Sequence, residues 1–260
     1  MSRKVALITG ASAGLGEQFA ELFARDGHDV ILVARNVAKL EALASRLEQA
    51  HGGRAHVMPA DLGDPSAPER LFAQVRAQGL AVDFLVNNAG FGSTGPFVEQ
   101  ALAREVEMVE VNCTALLKLT HLFVRPMRER KHGRVLNIAS TAGFQPGPYM
   151  ATYYATKAFV MSFSEALAFE LKDSGVTVTC HCPGATHTEF SANAGNAESR
   201  LFKRPGVAKA PDVAAHAYAA MMKGRVLSIH GALNWLGAFS LRFSPRAAVR
   251  SVTAKLNQQA

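Results

Sequence analysis

The chain has 260 residues, 48% of them apolar, and carries 28 Lys and Arg against 21 Asp and Glu for a formal net charge of +7. That composition excludes a disordered or collagen-like chain and supplies enough apolar mass for one α/β layer structure with a large core. The basic balance alone would suit nucleic acid, but apart from the run Arg125 to Arg134 the cations read as scattered, and no nucleic-acid motif accompanies them.

The first residues run from Arg3 and Lys4 straight into Val-Ala-Leu-Ile, without the apolar segment and small-residue cleavage site of a secretory leader. No apolar run approaches the roughly 18 residues of a membrane-spanning helix. A cytoplasmic protein is expected. Val5 to Thr9 reads as a strand, and Gly10-Ala-Ser-Ala-Gly14-Leu-Gly16 follows as a glycine-rich turn. The next helix carries Leu15, Phe19, Leu22 and Phe23 on one face. Strand, glycine turn, helix is the arrangement that offers a helix N-terminus and bare amides to a pyrophosphate.

Asp29 to Val33 is the second strand, and it ends in Ala34-Arg35. An acid near this point would hold adenosine ribose hydroxyls, whereas an arginine accommodates a 2′-phosphate. Arg35, with no carboxylate beside it, favours NADP(H) over NAD(H). A helix over 37–50, a strand from Ala55 to Ala60 followed by Asp61-Leu62, and a helix opened by Pro65 come next. Phe84 to Val86 is a strand ending in Asn87-Asn88-Ala89-Gly90, and a helix near 102–125 contains Asn112, a poor helix former in an apolar setting. Arg134 to Ile138 is the strand that delivers Ser140.

The stretch after it holds Tyr153 and Lys157, which share a face if the helix runs from about Met150 to Leu171. Of the three tyrosines here only Tyr153 has a lysine four residues on, since Tyr149 has Tyr153 and Tyr154 has Ala158. An ammonium beside a phenol favours the phenolate and lowers a pKa that starts near about 10. Val176 to Cys182 is the sixth strand, ending in Pro183-Gly184. Cys180 and Cys182 flank His181, but on a strand His181 points to the other face and no fourth ligand is near. Buried thiols and no metal site are expected. Strands alternating with helices predict a doubly wound (Rossmann) parallel sheet of about seven strands in a single domain over 1–260. Every polar candidate falls at the carboxyl end of a strand, where open α/β sheets bind ligands.

Taken together, these residues resemble the short-chain dehydrogenase/reductase family from about Lys4 to His230. Thr9-Gly10, Gly14 and Gly16 match its cofactor loop, Asn87-Asn88-Ala89-Gly90 its strand-four motif, and Asn112, Ser140, Tyr153 and Lys157 its catalytic tetrad. The resemblance implies that Asp61 contacts the adenine, with Leu62 a further cofactor-binding residue, and that Pro183, Gly184 and Thr188 contact the nicotinamide carboxamide. It adds Ser12 and Leu15 to the cofactor-binding residues. Ala13 stands where NADP-preferring members often carry a basic residue, so a 2′-phosphate would lean on Arg35 and Ser12. The implied chemistry is hydride transfer between a nicotinamide and a carbonyl or secondary alcohol. Tyr153 would be the proton donor and Ser140 a hydrogen bond to the substrate oxygen. Lys157 would act on Tyr153 and on the ribose, and Asn112 would anchor a water that links Lys157 to solvent. The family's habit of pairing the helices that hold Asn112 and Tyr153 implies a homodimer or homotetramer.

Substrate choice is expected in a lid over 184–210 and in neighbouring loops, where Phe144, Tyr149, Phe190, Leu201 and Phe202 favour an apolar ketone or aldehyde. Arg200, Lys203 and Arg204 read as a solvated face, and His187 carries little weight. A 3-oxoacyl-thioester ketoreductase is the enzymatic alternative, and a non-catalytic NADP(H)-binding redox sensor or scaffold is the alternative outside enzymes. The helical tail, 232–260, carries Leu233, Trp235, Leu236, Phe239, Leu241 and Phe243, then Arg242, Arg246 and Arg250 opposite Val249, Val252 and Leu256. It packs either on the protein or on an anionic membrane surface.

Overall fold

The computed structural model describes residues 3–187, 194 and 207–258. A seven-stranded parallel sheet forms the centre, in the order β3-β2-β1-β4-β5-β6-β9. Its strands are β1 (Val5–Thr9), β2 (Asp29–Val33), β3 (Ala55–Val57), β4 (Val82–Asn87), β5 (Gly133–Ile138), β6 (Val176–Cys182) and β9 (Leu227–Ile229). Two short strands, β7 (Thr186–His187) and β8 (Ala208–Lys209), pair separately. The helices are α1 (Gly14–Arg25), α2 (Val37–His51), α3 (Ala67–Ala77), α4 (Leu102–Val109), α5 (Leu116–Glu129) and α6 (Ala151–Glu170). After the 188–206 stretch come α7 (Ala210–Met222), α8 (Ala232–Ser240) and α9 (Arg246–Asn257).

Strand periodicity divides the core in two. Ala6 and Ile8 of β1 pack with Phe19, Phe23, Leu40 and Leu47 on the face of the sheet covered by α1, α2 and α7. Val5 and Leu7 point the other way, to Leu71, Leu119 and Phe123 of α3 and α5. β1 is buried along its whole length, so its five residues read as an unbroken apolar run. The chain winds outward from β1 to β3, then restarts at β4 on the other side. This reversal between β1 and β4 is the switch point where a doubly wound sheet opens a crevice.

Three expectations need correction. The third strand stops at Val57, although Met58 and Ala60 still donate backbone hydrogen bonds to Leu32 and Ala34. Pro65 lies outside α3, whose first turn holds Pro68 instead; Asp64 accepts from the Ser66 amide and shapes the turn before it. The helix read over 102–125 is divided into α4, a π-helical stretch from Glu110 to Ala115, and α5. No helix among the described residues is long and apolar enough to cross a membrane.

Candidate active site

The crevice floor is stitched across the switch point by Thr9 and Asn88. The Thr9 Oγ1 accepts from the amides of Asn88 and Ala89, each at 3.0 Å, and donates to the Val86 carbonyl at 3.2 Å. Asn88 Nδ2 donates to the Thr9 carbonyl at 2.9 Å. These bonds hold the ends of β1 and β4 side by side with little room between them. Gly10, at φ +66°, would place a Cβ 2.8 Å from Asn88 Nδ2, and a Cβ on Gly16 would run into the Gly10 carbonyl. The turn therefore needs glycine for close approach as well as for conformation. It leads into α1, whose N-cap Ala13 makes no side-chain cap, so first-turn amides stay open to an anion.

Ser140 follows β5 and starts the turn Thr141–Phe144. Its Oγ accepts from the Ala142 amide at 3.1 Å and lies 3.5 Å from the Pro183 carbonyl, to which it donates. It also hydrogen-bonds the Tyr153 side chain. Lys157, one turn further along α6, is buried and donates from Nζ to the Ile138 carbonyl at 2.9 Å, with Nζ 5.8 Å from the Tyr153 ring centroid. Ser140, Tyr153 and Lys157, from β5 and α6, thus meet at the carboxyl end of the sheet.

Asn112 sits in the π-helical stretch and is buried. Its Oδ1 accepts from the Phe91 amide at 3.1 Å; its Nδ2 donates to the Phe91 carbonyl at 2.9 Å and to Thr156 Oγ1 at 3.0 Å. Thr156 in turn donates to the Tyr153 carbonyl at 2.7 Å. The widened turn aims an amide that an α-helix would direct elsewhere, and π-bulges of this kind recur at functional sites. Asn112 braces the loop after β4 against the turn of α6 that carries Tyr153.

A family model described as short chain dehydrogenase matches residues 4–199. The chain belongs to the short-chain dehydrogenases. Among curated relatives, nodulation protein G of Rhizobium sp. (strain N33) is 39% identical over 184 residues, covering 71% of this chain and 74% of the relative. A very-long-chain 3-oxoacyl-CoA reductase of Neurospora crassa is also 39% identical, over 178 residues; the alignment covers 66% of this chain and about half (53%) of that enzyme. A solved short-chain dehydrogenase from Sphingobium yanoikuyae, in complex with NADPH, superposes with a TM-score of 0.82 at 34% identity, covering 92% of this chain and 93% of that one. A bulky-bulky ketone specific alcohol dehydrogenase from Comamonas testosteroni gives a TM-score of 0.80 at 31% identity, with 98% of both chains covered. The protein is an oxidoreductase that works with a nicotinamide cofactor on carbonyl and alcohol groups.

In this dehydrogenase one cleft of about 330 Å³ collects most of the expected residues: Gly10, Ser12, Gly14 and Leu15 from the turn, Asn88, Ala89 and Gly90 after β4, and Ser140, Tyr153, Lys157, Pro183 and Gly184. The glycine-lined turn, with the open first-turn amides of α1, fits a dinucleotide. Gly16 and Asn112 lie behind that lining as supports. Leu62 buries its side chain in the core, which leaves only its backbone for a ligand. Asp61 is exposed and accepts from the Gly63 amide at 3.0 Å. Arg35, 68% exposed, has its Nη1 3.7 Å from Glu107, which also faces Arg104 at 3.3 Å. Thr188, Phe190, Arg200, Leu201, Phe202, Lys203 and Arg204, with most of the expected lid, lie outside the described residues.

The electrostatics differ from expectation. Burial raises the Tyr153 pKa above that of an ordinary phenol, while the Ser140 hydrogen bond pulls it back. The net shift is upward, opposite to the depression expected from Lys157, whose Nζ bonds the Ile138 carbonyl. Burial pushes Lys157 down to about 8. Cys180 and Cys182 are buried free thiols with sulfurs 4.0 Å apart, as their strand positions implied. Among the described residues no cluster suits a metal ion.

Sequence reasoning missed one wall of the cleft. Leu256 lines it from α9, facing Met150 and Tyr154 at the start of α6. Asn257, buried, holds that wall by donating to the Pro148 carbonyl at 2.9 Å. Gln258 donates to the Tyr149 hydroxyl at 3.1 Å, and Tyr149 itself has φ +66°, a costly conformation for a bulky residue. The basic, apolar pattern of the tail masked this role. Its α9 helix turns Val249, Thr253, Leu256 and Asn257 inward, while Val252, expected on that face, is exposed.

Proposed function

We propose that this dehydrogenase is an NADP(H)-dependent carbonyl reductase for bulky apolar ketones or aldehydes. The carrying observation is the meeting of Ser140, Tyr153 and Lys157 at the base of a cleft whose far wall is built from Leu256, Met150 and Tyr154. The bound nicotinamide supplies the hydride. Ser140 Oγ donates to the substrate oxygen and fixes the carbonyl carbon, and Tyr153 gives its proton to that oxygen as the alkoxide forms. Burial keeps the phenol protonated at neutral pH, which is the form that reduction requires. The Lys157 charge, 5.8 Å from the ring centroid, stabilises the phenolate left behind. Lys157 has further N–H donors for the nicotinamide ribose, and Asn112 keeps Gly90 and Phe91 close to that ammonium; a Cβ on Gly90 would lie 2.9 Å from Asn112 Oδ1.

Arg35, beside the end of β2, supports NADP(H), as does the NADPH complex of the Sphingobium yanoikuyae relative. Apolar side chains left exposed on α4, α5 and α6, among them Val106, Val109, Leu117 and Phe159, support pairing of these helices in a homo-oligomer. Three reduced, buried cysteines suit the cytoplasm. The likeness to 3-oxoacyl-CoA reductases favours a second reading, an acyl-thioester substrate whose chain lies along the same apolar wall.

NADPH oxidation over a panel of bulky ketones, small aldehydes and a 3-oxoacyl thioester, with NADH in parallel, tests the proposal. Turnover of a carbonyl with NADPH that falls about 100-fold or more in Tyr153→Phe, with NADPH binding kept, is the expected result. Tight NADPH binding without turnover on any carbonyl would favour a redox sensor or scaffold instead.

A further inference from the structure

We propose that α8 and the turn after it, flanked by the basic face of α9, form a docking surface for an anionic phospholipid bilayer. The first observation is exposure. Helix α8 has no buried residue, and Leu233 (85% exposed), Trp235 (55%), Leu236, Phe239 and Phe243 (77%) all stand out from the protein. Trp235 stacks on Phe239 with ring centroids 5.4 Å apart, and Phe239 meets Phe243 edge-on at 5.6 Å. The rings therefore form one ordered apolar ridge. Gly237 has open space around it, and Asn234, donating to the His230 carbonyl at 2.8 Å, anchors the helix beside Gly184.

The second observation is charge. Residues 213–260 contain six lysines and arginines and no acidic side chain, so this stretch carries six of the seven net charges of the chain. The net positive charge is therefore concentrated here rather than scattered along the chain. Arg242 lies over the Phe239 ring at 5.8 Å to the centroid, and Arg246, Arg250 and Lys255 are exposed along α9. Aromatic and leucine side chains bordered by arginines match the acyl boundary and the negative headgroups of a bilayer leaflet. Lys223 and Arg225 precede β9 at the far end of the sheet, so the ridge is flanked by Arg242, Arg246, Arg250 and Lys255; a second copy brought to the same surface would set these four cations against themselves, which opposes self-pairing here.

Position gives the surface its use. Asn234 of α8 abuts Gly184, and Leu256 of α9 lines the cleft, so a bilayer seated on this ridge lies beside the cleft. An apolar carbonyl dissolved in the leaflet would reach Tyr153 with a short passage through water. Docking is independent of the reaction assigned above, because its readout is binding.

Trp235 is the only tryptophan of the chain, which makes the test direct. The full chain is mixed with phosphatidylcholine vesicles containing about a quarter phosphatidylserine, and with vesicles of phosphatidylcholine alone. Expected are co-sedimentation with the anionic vesicles, a blue shift of Trp235 emission, and its quenching by brominated acyl chains. Binding should weaken about tenfold or more in high salt and in Arg246→Glu/Arg250→Glu. Leu233→Glu/Leu236→Glu should abolish it while leaving NADPH binding intact, which shows that the variant is folded. No co-sedimentation at low salt would overturn the proposal. So would a lipid-independent blue shift that follows protein concentration and disappears in Leu233→Glu/Leu236→Glu, since that outcome assigns the ridge to a second copy.

Discussion

The Tyr154 hydroxyl donates to Asn257 Oδ1 at 3.1 Å, joining residues 103 positions apart and tying α9 to the helix that carries Tyr153 and Lys157. Both partners are buried, and Asn257 also holds the Pro148 carbonyl. One side chain thus fixes the loop before α6 and the cleft wall at once. Replacing Asn257 by Ala leaves the phenol hydroxyl and a carbonyl without their partner, at a cost of roughly 1–3 kcal/mol. Thermal unfolding of Asn257→Ala should fall by several degrees, and KM for carbonyls should rise more than kcat falls. An unchanged melting temperature would show that the clamp contributes nothing.

Leu256 is the side chain that α9 presents to the cleft. Leu256→Trp should fill the space meant for a bulky group and reduce kcat/KM for large ketones by about 10–100-fold, with small aldehydes spared. Equal losses on both substrate sizes would move the size-selecting wall elsewhere.

Titration offers a separate check. Lys157 is pushed down to about 8 by burial, so the free enzyme loses this charge as pH rises through that value. Tyr153 is shifted the other way and keeps its proton. The value of kcat/KM for NADPH, which reports the free enzyme, should be level below about pH 8 and fall about tenfold per unit above it. A profile that stays level to about pH 10 would remove Lys157 from the cofactor site.

Glu107 stands between Arg35 and Arg104 and draws on the charge that a 2′-phosphate would use. Glu107→Gln should lower KM for NADPH by a few-fold and leave NADH unchanged, and Arg35→Ala should raise KM for NADPH about tenfold or more. Equal effects on both cofactors would contradict a phosphate-reading role for Arg35.

Much of this was present in the sequence because it depends on near neighbours. The unbroken apolar run Val5, Ala6, Leu7 and Ile8 specifies a strand buried on both faces. The glycines at 10, 14 and 16 specify a tight turn, and the four-residue step from Tyr153 to Lys157 specifies one face of α6. Such features follow from backbone geometry over a few residues, and the doubly wound sheet follows from their repetition. The sequence alone did not reveal that Asn112 widens a helix into a π turn, because that depends on the Phe91 backbone it reaches. Nor did it show which way the Tyr153 pKa moves, since desolvation depends on the residues that long-range packing gathers around the phenol. Glu107 beside Arg35, and Leu256 and Asn257 at the site wall, were likewise invisible. Local pattern determined the elements and the motif, and only long-range packing decided what surrounds the reacting groups.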